Sequence, residues 1–215
     1  MNYFVIDFDS TFIKTESLDE LFRISNPIDK DLHEKINKIT SDGMEGKLSF
    51  SQSLSNRIEI LNANKDDIKK TINEIRDKIS DSFKSNKDFF KKNKEYIYIV
   101  SSGFHEIIDP IVLNYHIPKK NIYANNFFFD GNGKIIGFDK KNPLSKTKGK
   151  VEIIKNLKLN GTIHVLGDGY TDFEIKKDGY ADYFYLFIEN IKRESLTKNA
   201  DFLVKSFDHF KNIVK

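Results

Sequence analysis

MNYFVIDFDSTFIKTE, residues 1–16, carries the strand and the acids around which the rest of the chain is organised. Tyr3 to Ile6 is a short apolar run suited to a buried strand, and it leads straight into Asp7 and Asp9, with Ser10 and Thr11 behind them. Like charges at the end of a core strand repel, so the pair either caps a turn or holds something cationic. Residues i and i+2 of a strand end can converge on one site, and hard divalent cations take oxygen ligands. A calcium-binding EF-hand loop also begins Asp-x-Asp, but it needs Gly at its sixth position and Glu at its twelfth. Phe12 and Leu18 stand there instead.

Further along, apolar and β-branched runs recur at Phe4–Ile6, Tyr96–Val100, Ile163–Leu166, Tyr183–Ile188 and Phe202–Val204. Helical patterns follow most of them, at His105–Tyr115, Lys148–Leu157, Thr171–Lys177 and Ile191–Lys198. This alternation predicts a parallel sheet flanked by helices, an α/β fold of Rossmann-like type. FFFDGNGKIIGF, ending at Phe138, predicts a hairpin turning at Asp130–Gly133; its GNGK lacks the spacing of a phosphate-binding loop. Between about Ser17 and Ser85 the alternation stops. Leu18, Leu21 and Phe22, then Ile36 and Ile39, then Leu54, Ile58 and Leu61, then Ile68, Ile72 and Ile75 fall at helical spacing, which predicts four helices inserted after the first strand.

Three more stretches bear on chemistry. VLGDGYTD, Val165–Asp172, is a second strand ending in acid, with Asp168 and Asp172 around a turn that Gly167 and Gly169 permit. IYIVSSGFHE ends a strand on Ser101, Ser102 and Gly103 before a helix, a setting that suits a phosphate oxygen as well as it suits an ordinary N-cap. SKTKGKVEII places Lys148 at the start of a helix, where a lysine is ordinarily solvated. HEIID is no zinc-binding HExxH, because Asp109 stands where the second His belongs, and the five histidines show no ligand spacing.

At 215 residues with 39% hydrophobic and 31% charged side chains, the chain has an ordinary globular composition. A net charge of +3 with no basic stripe argues against nucleic acid. No apolar run approaches the roughly 20 residues that span a bilayer, no signal peptide is expected before the first strand, and no membrane partner is expected. The absence of cysteine removes disulfides and thiol nucleophiles and fits a cytoplasmic protein. Oligomeric state, monomer or homodimer, is left open.

DFDST, a hydroxyl-bearing SSG turn, a lysine and GDGYTD, in that order, resemble the haloacid dehalogenase superfamily of phosphohydrolases. Together with DFDSTFIKTESLDEL and MEGKLSFSQSLSNRI, they are most similar to its phosphoserine phosphatase family. The resemblance implies a catalytic core at 1–14 and 86–215 and an α-helical C1-type cap at 15–85. It implies Asp7 as nucleophile, forming an aspartyl-phosphate, and Asp9 as general acid and then base. Mg²⁺ is expected on Asp7, the Asp9 backbone carbonyl and Asp168, supported by Asp172, with Ser101 and Lys148 on the phosphoryl oxygens. Glu16 is expected to take a substrate ammonium and Arg57 its carboxylate, with Met44 and Phe50 shielding the site and Ser102, Gly103 and Thr171 lining it. The implied reaction is hydrolysis of phosphoserine; alternatives are another small phosphomonoester, transfer from phosphoserine to an alcohol such as homoserine, or a silent phosphometabolite-binding module. The chain departs from the family pattern at Ser102, at Tyr170 and Thr171, and in the aromatic YADYFYLFIENIKRES.

Overall fold

The computed structural model describes the backbone of residues 1–44 and 47–214, and the side chains of those residues other than 30, 41, 43 and 44. Among the described residues, eight strands and ten α-helices follow in chain order. β1 (Asn2–Ile6) leads through a turn to α1 (Ser17–Ser25), α2 (Lys30–Met44), α3 (Phe50–Ile60), α4 (Lys65–Asp77), α5 (Asp81–Lys84) and α6 (Lys87–Asn93). Then come β2 (Ile97–Phe104), α7 (His105–Val112), β3 (Ile122–Asn125), β4 (Phe127–Phe129), β5 (Ile135–Phe138), α8 (Gly149–Leu157) and β6 (Thr162–Gly167). The chain finishes with α9 (Tyr170–Lys177), β7 (Tyr183–Phe187), β8 (Phe202–Val204) and α10 (Phe207–Ile213).

Six strands form one sheet in the order β3-β2-β1-β6-β7-β8, every pair parallel. The alternation of side chains along each strand divides the core in two. Phe4 and Ile6 of β1 join Tyr185 and Phe187 of β7 under one face, while Val5 joins Val165, Phe184 and Leu186 under the other. The chain runs outward from β1 through β2 to β3 on one side, and from β6 through β7 to β8 on the other. The boundary between β1 and β6 is therefore the switch point, where an open α/β sheet leaves a crevice beyond its strand ends. Ile6 and Leu166 pair across that boundary, so the residues following them, Asp7 and Gly167–Asp168, enter the same crevice.

The four inserted helices are α1 to α4, as the spacing predicts, and α4 buries Ile68, Ile72 and Ile75 along one stripe. Capping boxes open α3 at Ser49 with Gln52 and α4 at Asn64 with Asp67. The legs of the insertion meet in an antiparallel bridge between Ile13 and Ile79, with Lys14 N–H donating to Lys78 O at 2.8 Å and Ser80 N–H to Phe12 O at 3.0 Å. Beyond that bridge α5 returns to the core, where Phe83 contacts the rings of Phe12, Phe90, Phe187 and Phe207. The predicted hairpin is β4–β5, and its turn reaches the insertion through Lys65 N–H to Gly133 O at 3.0 Å.

One expected element is absent. The helix expected over Ile191–Lys198 is only a single turn at Glu194–Leu196, and Arg193 before it is extended at φ −90°, ψ 97°. The reason is tertiary: Asn190 and Arg193 are drawn inward by polar partners described below, and Ile191 is left outside. Among the described residues no helix is long and apolar enough to cross a membrane.

Candidate active site

The turn after β1 sets the geometry. Asp7 N–H donates to Leu166 O at 3.0 Å, which ties the first aspartate to β6. Phe8 to Phe12 form one wide turn closed by Ile13 N–H to Phe8 O, and inside it Ser10 is left-handed at φ 54°, ψ 0°. Such wide turns and strained residues cluster at working sites. This one directs Asp9 toward α1, where Ser17 N–H donates to Asp9 Oδ1 at 2.6 Å, and lets Ser10 Oγ donate to Glu16 Oε1 at 2.7 Å.

From β6, Asp168 and Asp172 join Asp7. One carboxylate oxygen from each of the three lies within 4.8 Å of the others, and all three residues are buried. The glycines of GDG make this possible: a Cβ at Gly167 would fall 2.3 Å from Asp172 Cγ. Gly169 N–H donates to Asp172 Oδ2 at 3.2 Å, and Thr171 Oγ1 packs beside Gly169. On the β2 side, a Cβ at Gly103 would sit 3.1 Å from Asp9 Oδ2 and 3.2 Å from Ser101 Oγ, so the SSG turn faces Asp9 directly. Ser102 is half-buried, and its carbonyl accepts from Asn125 Nδ2 at 2.9 Å.

The lysine at this site is Lys150. Its Nζ donates to Asp7 Oδ1 at 2.6 Å and to Asp172 Oδ1 at 2.7 Å, with 5% of the side chain exposed. Lys148, expected in this place, lies outside the site: it caps α8 in a left-handed conformation and pairs on the surface with Asp178 at 2.7 Å. The physical reason is where the helix begins. A Cβ at Gly149 would strike Pro143 O at 2.1 Å, so this residue lets α8 start tightly against the preceding turn, and Lys150 then shares a face with buried Ile154. That i, i+4 relation is present in the sequence and is the signal that separates the two lysines.

Arg193 is a second cation that sequence reasoning did not identify. Its Nε and Nη2 hold Asp168 Oδ2 at 2.8 and 2.7 Å, and Thr11 Oγ1 donates to Asp168 Oδ1 at 3.5 Å. No spacing rule marks it, because it lies in the segment that reads as helix.

The carboxyls crowd one another. Burial, then the charges of Glu16 and Asp7, hold Asp9 well above the usual carboxylate range. Burial and Asp7 push Asp168 up to about 6 and Asp172 up to about 7. Burial also raises Glu16, against the Ser10 hydrogen bond. For Lys150, burial alone would lower the pKa, but Asp172 and Asp7 outweigh it and raise it. The pocket is thus short of positive charge, and its all-oxygen donor set suits a hard divalent cation.

In the insertion, Arg57 lies on α3 with Nη1 3.6 Å from Asp19 Oδ1, and its Nε is buried with no partner among the described residues. Phe50 opens the same helix and packs on the edge of the main core. The side chain of Met44 lies outside the described residues.

No family model matches the chain. It is similar to a phosphoserine phosphatase of Drosophila melanogaster, 30% identical over 206 residues that cover 94% of this chain and 74% of that protein. It is also similar to the chloroplastic phosphoserine phosphatase of Arabidopsis thaliana, 28% identical over 209 residues, 96% of this chain and 69% of that one. Among solved structures, a phosphoserine phosphohydrolase-like protein from Francisella tularensis superposes with a TM-score of 0.88 at 29% identity, covering 100% of both chains. The architecture and these relatives agree: the chain belongs to the phosphoserine phosphatase family of the haloacid dehalogenase superfamily and is a phosphoric monoester hydrolase.

Proposed function

We propose that this hydrolase converts O-phospho-L-serine and water to L-serine and phosphate through an aspartyl-phosphate on Asp7. The observation that carries the reading is the buried cluster of Asp7, Asp168 and Asp172 at the sheet's switch point, with Lys150 bridging Asp7 and Asp172 and with Asp9 alongside. The Asp7 oxygen not held by Lys150 attacks phosphorus, and the ester P–O bond breaks. Asp9, whose pKa is raised by burial and by the charges of Glu16 and Asp7 as suits a general acid, gives a proton to the departing serine oxygen. The Asp9 carboxylate then takes a proton from water, whose oxygen attacks phosphorus and releases phosphate from Asp7. Ser101 Oγ, which accepts from Gly103 N–H at 2.9 Å and keeps its own proton to donate, and Lys150 are suited to hold the phosphoryl oxygens as charge redistributes, with Ser102 and Gly103 lining them. Asp7, the Asp9 carbonyl and Asp168, supported by Asp172, would hold Mg²⁺, which neutralises charge between the anionic nucleophile and the phosphate.

The helical insertion serves in this reading as the cap, seated on the core where Ser51 Oγ donates to Ser145 O at 3.0 Å. Glu16 binds the substrate ammonium and Arg57 its carboxylate, with Phe50 and Thr171 completing the enclosure. A planar guanidinium grips a carboxylate through two charge-assisted bonds. Arg57→Ala is therefore expected to raise KM for phosphoserine roughly ten- to hundredfold while leaving an aryl phosphate unchanged. Equal losses on both substrates would remove Arg57 from substrate recognition.

The test of the function is a phosphate-release screen over small phosphomonoesters, with and without Mg²⁺. Phosphoserine is expected to rank first; a distant rank overturns the substrate, and appearance of phosphate on an added alcohol shows transfer instead. In the same samples, Mg²⁺ at about a hundred times its Kd should stabilise the fold by ~2.7 kcal/mol, raising Tm by roughly 5–10 °C. Asp168→Asn should erase that shift, and a parent protein without it would overturn the metal site.

A further inference from the structure

The segment after β7, to which the mechanism gives no role, reaches α5, the legs of the insertion and the acids of the site. Glu189 accepts from Ser82 N–H at 3.2 Å and from the Ser82 hydroxyl, which fastens α5 just beyond the returning leg of the insertion. Arg193 holds Asp168. Between them, the side-chain amide of Asn190 donates toward four oxygens: Ser10 O at 3.0 Å, Thr11 O at 3.1 Å, Ile13 O at 3.2 Å and Ser80 Oγ at 2.7 Å. Ser80 Oγ in turn donates to Thr11 O at 2.7 Å.

Three of those acceptors belong to the wide turn and the outgoing leg of the insertion, and the fourth belongs to the returning leg. The turn contains Ser10 in its left-handed conformation, which a residue with a Cβ keeps only where its surroundings over-determine it. Ser10 follows Asp9, and its hydroxyl holds Glu16. A side chain that fixes the Ser10 carbonyl therefore fixes the direction in which Asp9 points. We propose that Asn190 is a positioning residue, whose amide clasps both legs of the insertion to the wide turn and so sets the aim of Asp9. The proposal rests on the assignment of Asp9 as general acid.

The amide acts here as a donor, so size and donor capacity can be separated. Asn190→Ala removes the clasp, and Asn190→Asp keeps its shape but turns oxygens toward three carbonyls. Both variants should speed hydrogen exchange at the amides of Ile13, Lys14 and Ser80 by about tenfold or more, with β6 unchanged. A mis-aimed acid harms a poor leaving group most. The kcat on phosphoserine, whose leaving group is an alkoxide, should therefore fall roughly ten- to hundredfold at nearly constant KM. On p-nitrophenyl phosphate, whose phenolate leaves with little help, the loss should stay under about threefold.

Unchanged exchange at these amides, or equal loss on both substrates, would overturn the proposal. If the parent protein cleaves neither ester, the phosphatase reading fails by itself and the exchange comparison still decides the clasp. Should Asn190→Ala fail to fold, Ser80→Ala carries the test by removing one arm of the clasp. It should speed exchange at the same amides to a smaller degree, and no change there overturns the proposal.

Discussion

Asp7→Asn is expected to lower phosphoserine turnover by on the order of 10⁴-fold or more while the protein stays folded. The amide is close in shape to the carboxylate, and its oxygen can still accept from Lys150, which the parent holds at 2.6 Å. What it lacks is the anionic oxygen that bonds to phosphorus. The substitution also removes one of the charges that push Asp9, Asp168 and Asp172 upward, so the metal-free fold should lose little stability and can gain some. Circular dichroism and thermal melting check the fold, and phosphate release checks the chemistry. Activity remaining above a few per cent of the parent would overturn the nucleophile assignment.

Lys150→Met should be the most damaging change to the fold within the site. It leaves the carboxylates of Asp7 and Asp172 buried without their shared counter-ion, and breaking a buried pair from one side costs about 3–5 kcal/mol. For a chain of this size that lowers Tm by on the order of 10 °C. Turnover should fall at least about a hundredfold, since a donor to the phosphoryl group goes as well. The effect has a pH sign. Asp172 already lies at about 7 in the folded protein, above its ordinary value of 3.8, and loss of Lys150 raises it further. An acid with a raised folded pKa supports the fold below its unfolded value and gives up that support as pH rises through the folded one. The deficit of Lys150→Met relative to the parent should therefore widen from about pH 6 to about pH 8. Lys148→Met is the control: an exposed residue paired with Asp178, it should leave both melting and turnover unchanged. The reverse result, with Lys148 essential and Lys150 dispensable, would show that α8 starts elsewhere.

These two lysines mark where reading residues in order stops being enough. The parallel sheet, the four inserted helices and the hairpin are legible because each is written in a local period: two for strands, near 3.6 for helices, and glycine and aspartate at the turn. The clustering of Asp7 with Asp168 and Asp172 is legible too, since strand-end acids beside a switch point can face only one crevice. The choice between Lys148 and Lys150 depends on which residue begins α8, and the close approach of Gly149 to Pro143 O settles it.

Arg193 and Asn190 lie further beyond reach. Arg193 sits in a stretch whose spacing reads as helix and Asn190 just ahead of it, yet their side chains are called inward by oxygens more than a hundred residues away in Asn190's case, at Ser10 and Ser80, and by Asp168 in Arg193's. The α/β order, the acids that line the crevice and the place of the inserted helices are written in the chain, because apolar periodicity and turn chemistry act between near neighbours. Which cations meet those acids, and what holds the strained turn at Ser10, is fixed when distant segments pack together. Buried charges and carbonyls must be satisfied by whatever side chain the completed fold brings within about 3 Å, and that partner carries no local mark.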